Sequence, residues 1–494
     1  MQTQSRWDSN KKGNDNQVNT EKRNDKLHMG KDRISRDATS RGITSRGATS
    51  RSITSECKPE VLPQAVSVIS LGCPKNWVDS EVILGLLGKA GYPLTRFTNE
   101  ASIVIINTCA FIEAARAESY KVINDVLKEK TPTQKLIVCG CLPQLIGERL
   151  FQDFRGIDAI VGSADFYKLP DIVSRLLNGD NKIVEISEPT FIYDSSFPRL
   201  VSTPPSYAYL KISDGCSNRC SYCNIYRMRG EYRSRESIDV VNEARQLVKL
   251  GVKEIILVGQ DTTNFGVDKG KYLLPLLLQE LENIDGLHWI RLLYTHPAHF
   301  TEELIKVISD SRKICRYIDI PLQHTHPDIL SHMGRPTWEM SKRLIYELRD
   351  QIPDISLRTT FILGFPGEKE EHFKKLIDDI QELEFDWLGA FTYSQEAGTP
   401  AFEFDNQVPE CIKEERLYKL VEVQRGITIK KNQQKIGKLL KVLSDSQGRG
   451  HSEFQSPKLD GVVMFSEKVA PGELFMVKVK RVVNDYDLEV ELCD

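Results

Sequence analysis

The sequence predicts a multidomain α/β chain: an open α/β N-terminal domain, a partial (β/α)6 barrel and a small C-terminal β-barrel. Three observations carry that prediction. At 494 residues the chain exceeds what one hydrophobic core holds, and 40% hydrophobic with 27% charged residues is ordinary for a globular protein. From Val66 onward, apolar and mostly β-branched runs alternate with helical stretches, as parallel sheets require. Beyond Lys438 the helical period gives way to short strands separated by turn residues.

Residues 1–60 stand apart. Val18, Leu27, Ile34, Ile43 and Ile53 are their only Val, Ile, Leu or Phe residues, and Ser35 to Ser55 repeats a five-residue polar unit, so no core forms there. This stretch carries a net charge of +5 and the remainder −8. It reads as a disordered, basic, low-complexity tail; electrostatic contact with RNA or a ribosome is the alternative its charge allows. Eleven cysteines occur without a secretory apolar region or an apolar run of membrane length. A cytoplasmic protein with reduced thiols is expected, not a disulfide framework or a membrane protein.

Residues 61–195 form the first expected domain. "VSVISLGC", "ASIVIINTC" and "KLIVCGC" read as buried parallel strands, followed by helices such as Asp79 to Ala90 and Ala110 to Lys128. Each strand finishes on a cysteine: Cys73, Cys109 and Cys141. Ligands of open α/β sheets sit at the carboxyl ends of the strands, so three thiols converge on one edge. A single such cysteine would be a small core hydrophobe; three at one topological position read as metal ligands. Cys139 lies two residues before Cys141, but Gly140 lets the backbone turn at the strand end, and Cys141 is the expected ligand.

Residues 196–430 begin after the Pro-rich "FPRLVSTPPS". Strands are expected at "YAYLKI", "EIILVG", "IRLLY", "YIDIPL", "SLRTTFILGF" and "WLGAFTY", with helices such as Ser237 to Leu250, Thr301 to Ser309 and Glu370 to Leu383. Six βα units make a partial barrel, whose chemistry sits at the carboxyl ends of its strands. The first strand runs into a loop with Cys216, Cys220 and Cys223 at C-x₃-C-x₂-C spacing. Four thiols would close the shell of a structural zinc or an electron-transfer cluster; three leave one iron of a 4Fe-4S cluster open to a small molecule. The paired C-x₂-C motifs of a zinc ribbon are missing. Arg227, Arg229, Arg233 and Arg235 are read as a solvated or salt-bridged face before carboxylate receptors. His324 and His326 are read as hydrogen-bonding residues before metal ligands.

This triad, with Tyr222 before its last cysteine, resembles the signature of the radical S-adenosylmethionine (SAM) superfamily. The resemblance implies that SAM chelates the open iron and is cleaved to a 5'-deoxyadenosyl radical. "FILGFPGE", with Gly364 and Gly367, resembles that family's glycine-rich approach to the adenine, and "LVGQDTTNFG", with Gln260, resembles a SAM-contacting segment. "SLGCPKNWVDSE", "NTCAFI" and "GCLPQ" are similar to the methylthiotransferases, in which the N-terminal cysteines hold a second, auxiliary 4Fe-4S cluster. The resemblance thus implies two 4Fe-4S clusters, SAM, and a low-potential electron donor such as flavodoxin or ferredoxin. It further implies that one SAM methylates a sulfur on the auxiliary cluster and that another yields the radical that removes hydrogen from the substrate carbon.

After a charged helical connector, Lys413 to Lys431, residues 431–494 are expected to form a small β-barrel from "KLLKVLSD", "DGVVMFS", "GELFMVKVKRVV" and "DLEVEL". It is similar to the TRAM domain of these enzymes. Such barrels often bind RNA, but from Lys438 this one has 8 basic against 10 acidic residues. An acidic barrel on a body of −8 disfavours tRNA and suits a basic protein. "LGCPKN" and "SPKLDGVV" likewise resemble the RimO-like branch, which implies methylthiolation of an aspartyl β-carbon of ribosomal protein S-twelve. The alternatives are a tRNA adenosine methylthiotransferase and a non-catalytic iron-sulfur or zinc scaffold docking on ribosomes. Tyr226 and Trp77 depart from that branch's pattern, away from the expected ligands.

Overall fold

The computed structural model describes residues 64–493; the expectation for the tail lies outside them. Five parallel strands open the chain: β1 Val66–Ser70, β2 Ile103–Thr108, β3 Lys135–Gly140, β4 Ala159–Val161 and β5 Ile183–Glu185, paired in sequence order. Helices α1 Pro74–Lys89, α2 Glu113–Glu129, α3 Cys141–Ile146, α4 Arg149–Asp153 and α5 Leu169–Leu177 connect them. β2 is buried along its whole length, hence its unbroken Ile-Val-Ile-Ile run. Alternate residues of the sheet feed opposite cores: Ile103, Ile105 and Ile137 one, Val104, Ile106 and Val138 the other.

The second sheet contains β6 Tyr207–Lys211, β9 Glu254–Val258, β10 Trp289–Leu292, β11 Ile314–Asp319, β12 Ser356–Leu363 and β13 Trp387–Thr392, all parallel and adjacent in chain order. It stays open, a partial barrel. The short antiparallel pair β7 Ser213–Asp214 and β8 Arg233–Ser234 brackets the C-x₃-C-x₂-C loop and α6 Ile225–Arg229. Around the sheet run α7 Ser237–Lys249, α8 Leu274–Glu282, α9 Glu302–Asp310, α10 Pro327–Met333, α11 Trp338–Gln351 and α12 Glu370–Leu383. Ala208, Leu210, Ile255 and Leu257 pack under these helices. Tyr207, Tyr209, Ile256 and Val258 face the other way, into a core shared with the first sheet and α1.

Helix α13, Glu410–Gln433, leads to a closed barrel of β14 Leu439–Ser446, β15 Arg449–Ser452, β16 Val463–Met464, β17 Leu474–Val483 and β18 Asp487–Leu492. This barrel docks at the amino ends of the six-stranded sheet. His451 bonds Glu254, the first residue of β9; Trp387 Nε1, at the start of β13, and Ser356 Oγ, at the start of β12, both donate to the Phe454 carbonyl. The carboxyl ends of the same strands are left to the cysteine loop. No helix among the described residues is long and apolar enough to cross a membrane.

Candidate functional site

The first triad is built by three strand-to-helix turns. β1 ends at Ser70, and Cys73 caps α1, with Pro74 at its first position. The intervening Gly72 has φ +91°, and a Cβ there would stand 2.6 Å from Cys109 Cβ; only glycine fits. Cys109 follows β2, and Ser119 of α2 fixes it by donating to its carbonyl at 2.7 Å and accepting from its N–H at 3.3 Å. Cys141 opens α3 behind Gly140, whose φ is +96°. Asn76 Nδ2 donates to the carbonyls of Leu71 (2.7 Å) and Thr108 (3.1 Å), binding the first two turns together.

The turn at Gly140 separates the two neighbouring cysteines. Cys139 points into the core with Ile103, Ile105 and Ile137, whereas Cys141 belongs to the opposite face. Burial pushes the Cys109 thiol up to about 12, and Cys141 and Cys73 add to the rise. Cys141 is also raised by burial; the Arg229 guanidinium, hydrogen-bonded to its sulfur, opposes this. Cys109 and Cys141 are buried and Cys73 half-buried; thiols so placed become thiolates when a cationic centre binds them, so the donor set fits an iron-sulfur cluster.

The second triad lies in the loop after β6. Gly215, at φ +78°, brings the chain so close to Glu231 that a Cβ would meet its carbonyl at 2.0 Å. Cys216 N–H donates to the Gly230 carbonyl (3.1 Å), and Cys223 N–H to that of Cys220 (3.1 Å). Ser221 ties the loop to α10 through the Met333 and His332 carbonyls. Burial raises Cys216 to about 11 and, with Cys220, raises Cys223; backbone N–H groups of Asn218 and Ile225 pull the other way. Arg335 Nη1 approaches Cys220 Sγ at 3.9 Å. The Tyr222 ring packs against the cluster of Ile329, Met333, Phe365 and Tyr393.

Above this loop, polar atoms are left over. Gln260 Nε2 donates to Asp214 Oδ1 (2.9 Å), but its Oε1 is buried without a hydrogen-bond partner, as are His296 Nε2, Thr325 Oγ1 and Arg335 Nε, while His324 Nε2 faces Glu368 Oε2 at 3.6 Å without a hydrogen bond. These residues lie in or just beyond the loops that follow β9, β10 and β11. Such a set is costly unless a polar molecule completes it, which fits a cosubstrate rich in polar atoms. Gly364 has φ +70°, with the Lys413 stem 2.3 Å from where a Cβ would sit. Gly367 has φ +83° and open space on that side. Asp261, His296 and His299 bring their donor atoms within 4.8 Å of one another, as do His326, Asp328 and His372.

A buried ionic junction joins the two triads. Lys211 Nζ donates to Asp79 Oδ1 and, at 3.0 Å, to Asp214 Oδ2; Arg229 donates to Asp79 Oδ2 (2.7 Å), Asp214 Oδ2 (3.3 Å) and Asn76 Oδ1 (2.7 Å). Asp79 stands six residues after Cys73, and Asp214 two before Cys216. α3 packs on α6, and Ser163 donates to the Met228 carbonyl. Arg229 and Arg235 are thus salt-bridged, while Arg227 and Arg233 bond carbonyl oxygens. His324 Nδ1 accepts from His326 N–H, and His326 Nδ1 caps α10. The lysine inside the apolar run "YAYLKI" was the sequence signal for this junction. Lys75, in the first turn of α1, lies over the Tyr294 ring at 3.3 Å, its pKa pushed down by burial.

Comparison with known proteins agrees with this architecture. Residues 210–380 match the radical SAM superfamily, and residues 65–162 match the uncharacterized protein family UPF0004. A protein of Desulforamulus reducens named ribosomal protein uS12 methylthiotransferase RimO is 44% identical, covering 87% of this chain and 99% of that one. Its namesake in Heliobacterium modesticaldum is 42% identical over 88% and 96%. The radical S-adenosylmethionine methyltransferase TsrM of Kitasatospora setae, with tryptophan and a SAM analog bound, superposes with a TM-score of 0.53. It is 15% identical over 74% of this chain and 89% of that one, a likeness of fold. The chain belongs to the RimO family of methylthiotransferases, within the radical SAM superfamily.

Proposed function

We propose that the chain transfers a methylthio group to the β-carbon of an aspartyl residue of ribosomal protein uS12. The observation that carries this is the pair of cysteine triads, each at strand carboxyl ends, fastened together by one buried ionic junction. Cys216, Cys220 and Cys223 would hold one 4Fe-4S cluster, and Cys73, Cys109 and Cys141 the auxiliary one. When bound, the first supplies the electron that cleaves SAM and the second presents the sulfur to be transferred. Tyr222 covers the first triad from the α10 side. Gln260 Oε1 accepts from SAM, and the open side of Gly367 and the turn at Gly364 receive it. The junction keeps Arg229 against Cys141, where a fixed cation steadies a thiolate.

A net charge of −8 outside the tail attracts a basic ribosomal protein and repels tRNA. A flavodoxin- or ferredoxin-like protein supplies the electron. The division at residues 61–195, 196–430 and 431–494 assigns the auxiliary cluster, SAM cleavage and the TRAM-like barrel to separate units. Anaerobic reconstitution tests the reading: the expected result is two clusters per chain, 5'-deoxyadenosine on reduction, and a methylthio mass on one uS12 aspartate. Cys141→Ala loses the auxiliary iron, whereas Cys139→Ala keeps it. Methylthio transfer to tRNA with uS12 unchanged would refute the assignment.

A further inference from the structure

Lys75 differs from every other buried cation among the described residues. Eight lysines and arginines are buried among the described residues, and seven have a carboxylate oxygen within 4.0 Å. Lys75 has none, nor a hydrogen bond; its ammonium lies directly on the face of Tyr294, and Cys73, Asp214 and Asp319 attract it only from beyond ion-pair distance. A ring face offsets part of the cost of burying an ammonium, not all of it. Its place on the helix adds to the imbalance. The first turn of the 16-residue α1 contains no acidic residue, so Lys75 sits at the positive end of the helix dipole. Ammonium and helix end together call for an anion.

The location says which anion. Lys75 is two residues beyond Cys73 on one side. On the other, Tyr294 follows β10 in a left-handed conformation, φ 60°, and its N–H donates to Asp319 Oδ2 of β11 at 2.9 Å. The ammonium therefore lies between the auxiliary triad and the strand ends of the barrel. On the function proposed above, the reacting carbon of the substrate passes between those same two places, and its carboxylate is one bond away from that carbon. We propose that Lys75, with the N-terminus of α1, binds the carboxylate of the substrate aspartate and makes the site select an acidic side chain. The inference rests on the uS12 reading and adds its specificity determinant.

The test uses the reconstituted full chain, without reductant, and two probes: uS12, and uS12 with asparagine at the target aspartate. The unsubstituted enzyme is expected to bind the aspartate form about tenfold or more tightly, the scale of one charge-assisted hydrogen bond. Lys75→Met reduces that preference to within about twofold at unchanged iron content, and Lys75→Arg restores it. The proposal is overturned by an equal preference in Lys75→Met, by its loss only together with auxiliary iron, or by weakened binding of SAM in place of uS12. If Lys75→Met does not fold, the absence of any preference in the unsubstituted enzyme and in Lys75→Arg overturns it. A control with reductant separates the two readings: an unsubstituted enzyme that leaves uS12 unmodified contradicts the function, not the role of Lys75.

Discussion

Gly72 is where the first triad is most sensitive to a single atom. A methyl group there meets Cys109 Cβ at 2.6 Å and Cys109 Sγ at 3.0 Å, on a backbone at φ +91° that alanine adopts only with strain. Gly72→Ala is expected to cost about 1–3 kcal/mol and, more tellingly, to displace Cys109. Iron analysis and electron paramagnetic resonance of the reconstituted variant should show the auxiliary cluster lost and the Cys216–Cys220–Cys223 cluster kept. At this scale the sequence was informative about thiols and silent about their partners. Cys spacing and strand position single out six cysteines that the structure gathers at strand carboxyl ends, because metal chemistry dictates residue type. Nothing in the local pattern announced that Lys75, Asn76 and Asp79, polar residues at the start of a helix, are all buried. Their burial depends on what another part of the chain brings against them.

Among the elements, β15 shows what binds the C-terminal barrel to the sheet. His451 is buried between Glu254 Oε2 at 2.6 Å and Asp445 Oδ1 at 2.9 Å, and these carboxylates raise its imidazole from the usual 6.5 to about 9 despite burial. Arg291 and His451 in turn hold Glu254 down to about 2 against its own burial. A raised imidazole contributes its stability fully below about pH 6.5 and loses it as pH rises through about 9; the depressed carboxylate contributes above about 4.5 and loses it as pH falls through about 2. The docking of the barrel is therefore expected to weaken between pH 7 and 10, with His451→Gln removing that dependence. Thermal unfolding and proteolysis at the α13–β14 connection across this range would measure it. The strand itself was not legible: Arg-Gly-His-Ser has no apolar alternation, and β4 and β5 are only three residues long. By contrast α12 and β18 follow the expected limits, since their patterns are complete within the segment. α1 begins five residues before the expected Asp79 because Pro74 occupies a first-turn position and starts the helix.

For the whole molecule, the junction of Asp79, Lys211, Asp214 and Arg229 decides whether the first sheet and the barrel act as one body. All four side chains are nearly inaccessible, so removing one charge leaves the others in a poorly polarisable medium. Asp79→Ala is expected to destabilise the chain by about 3–5 kcal/mol, read as a fall in the urea midpoint. Replacing the whole set with apolar residues of similar size should cost far less. The order of α/β units was readable because each strand carries its own apolar run, but the way the two sheets meet is encoded in residues more than a hundred positions apart. The packing of α3 against α6 adds a last consequence. One of these short helices begins at Cys141 and the other two residues after Cys223, so on the proposed function both clusters would ride on a single spar. On that same proposal a fixed spacing would spare the enzyme any swinging arm, and the substrate, not the machinery, would change its pose after each turnover.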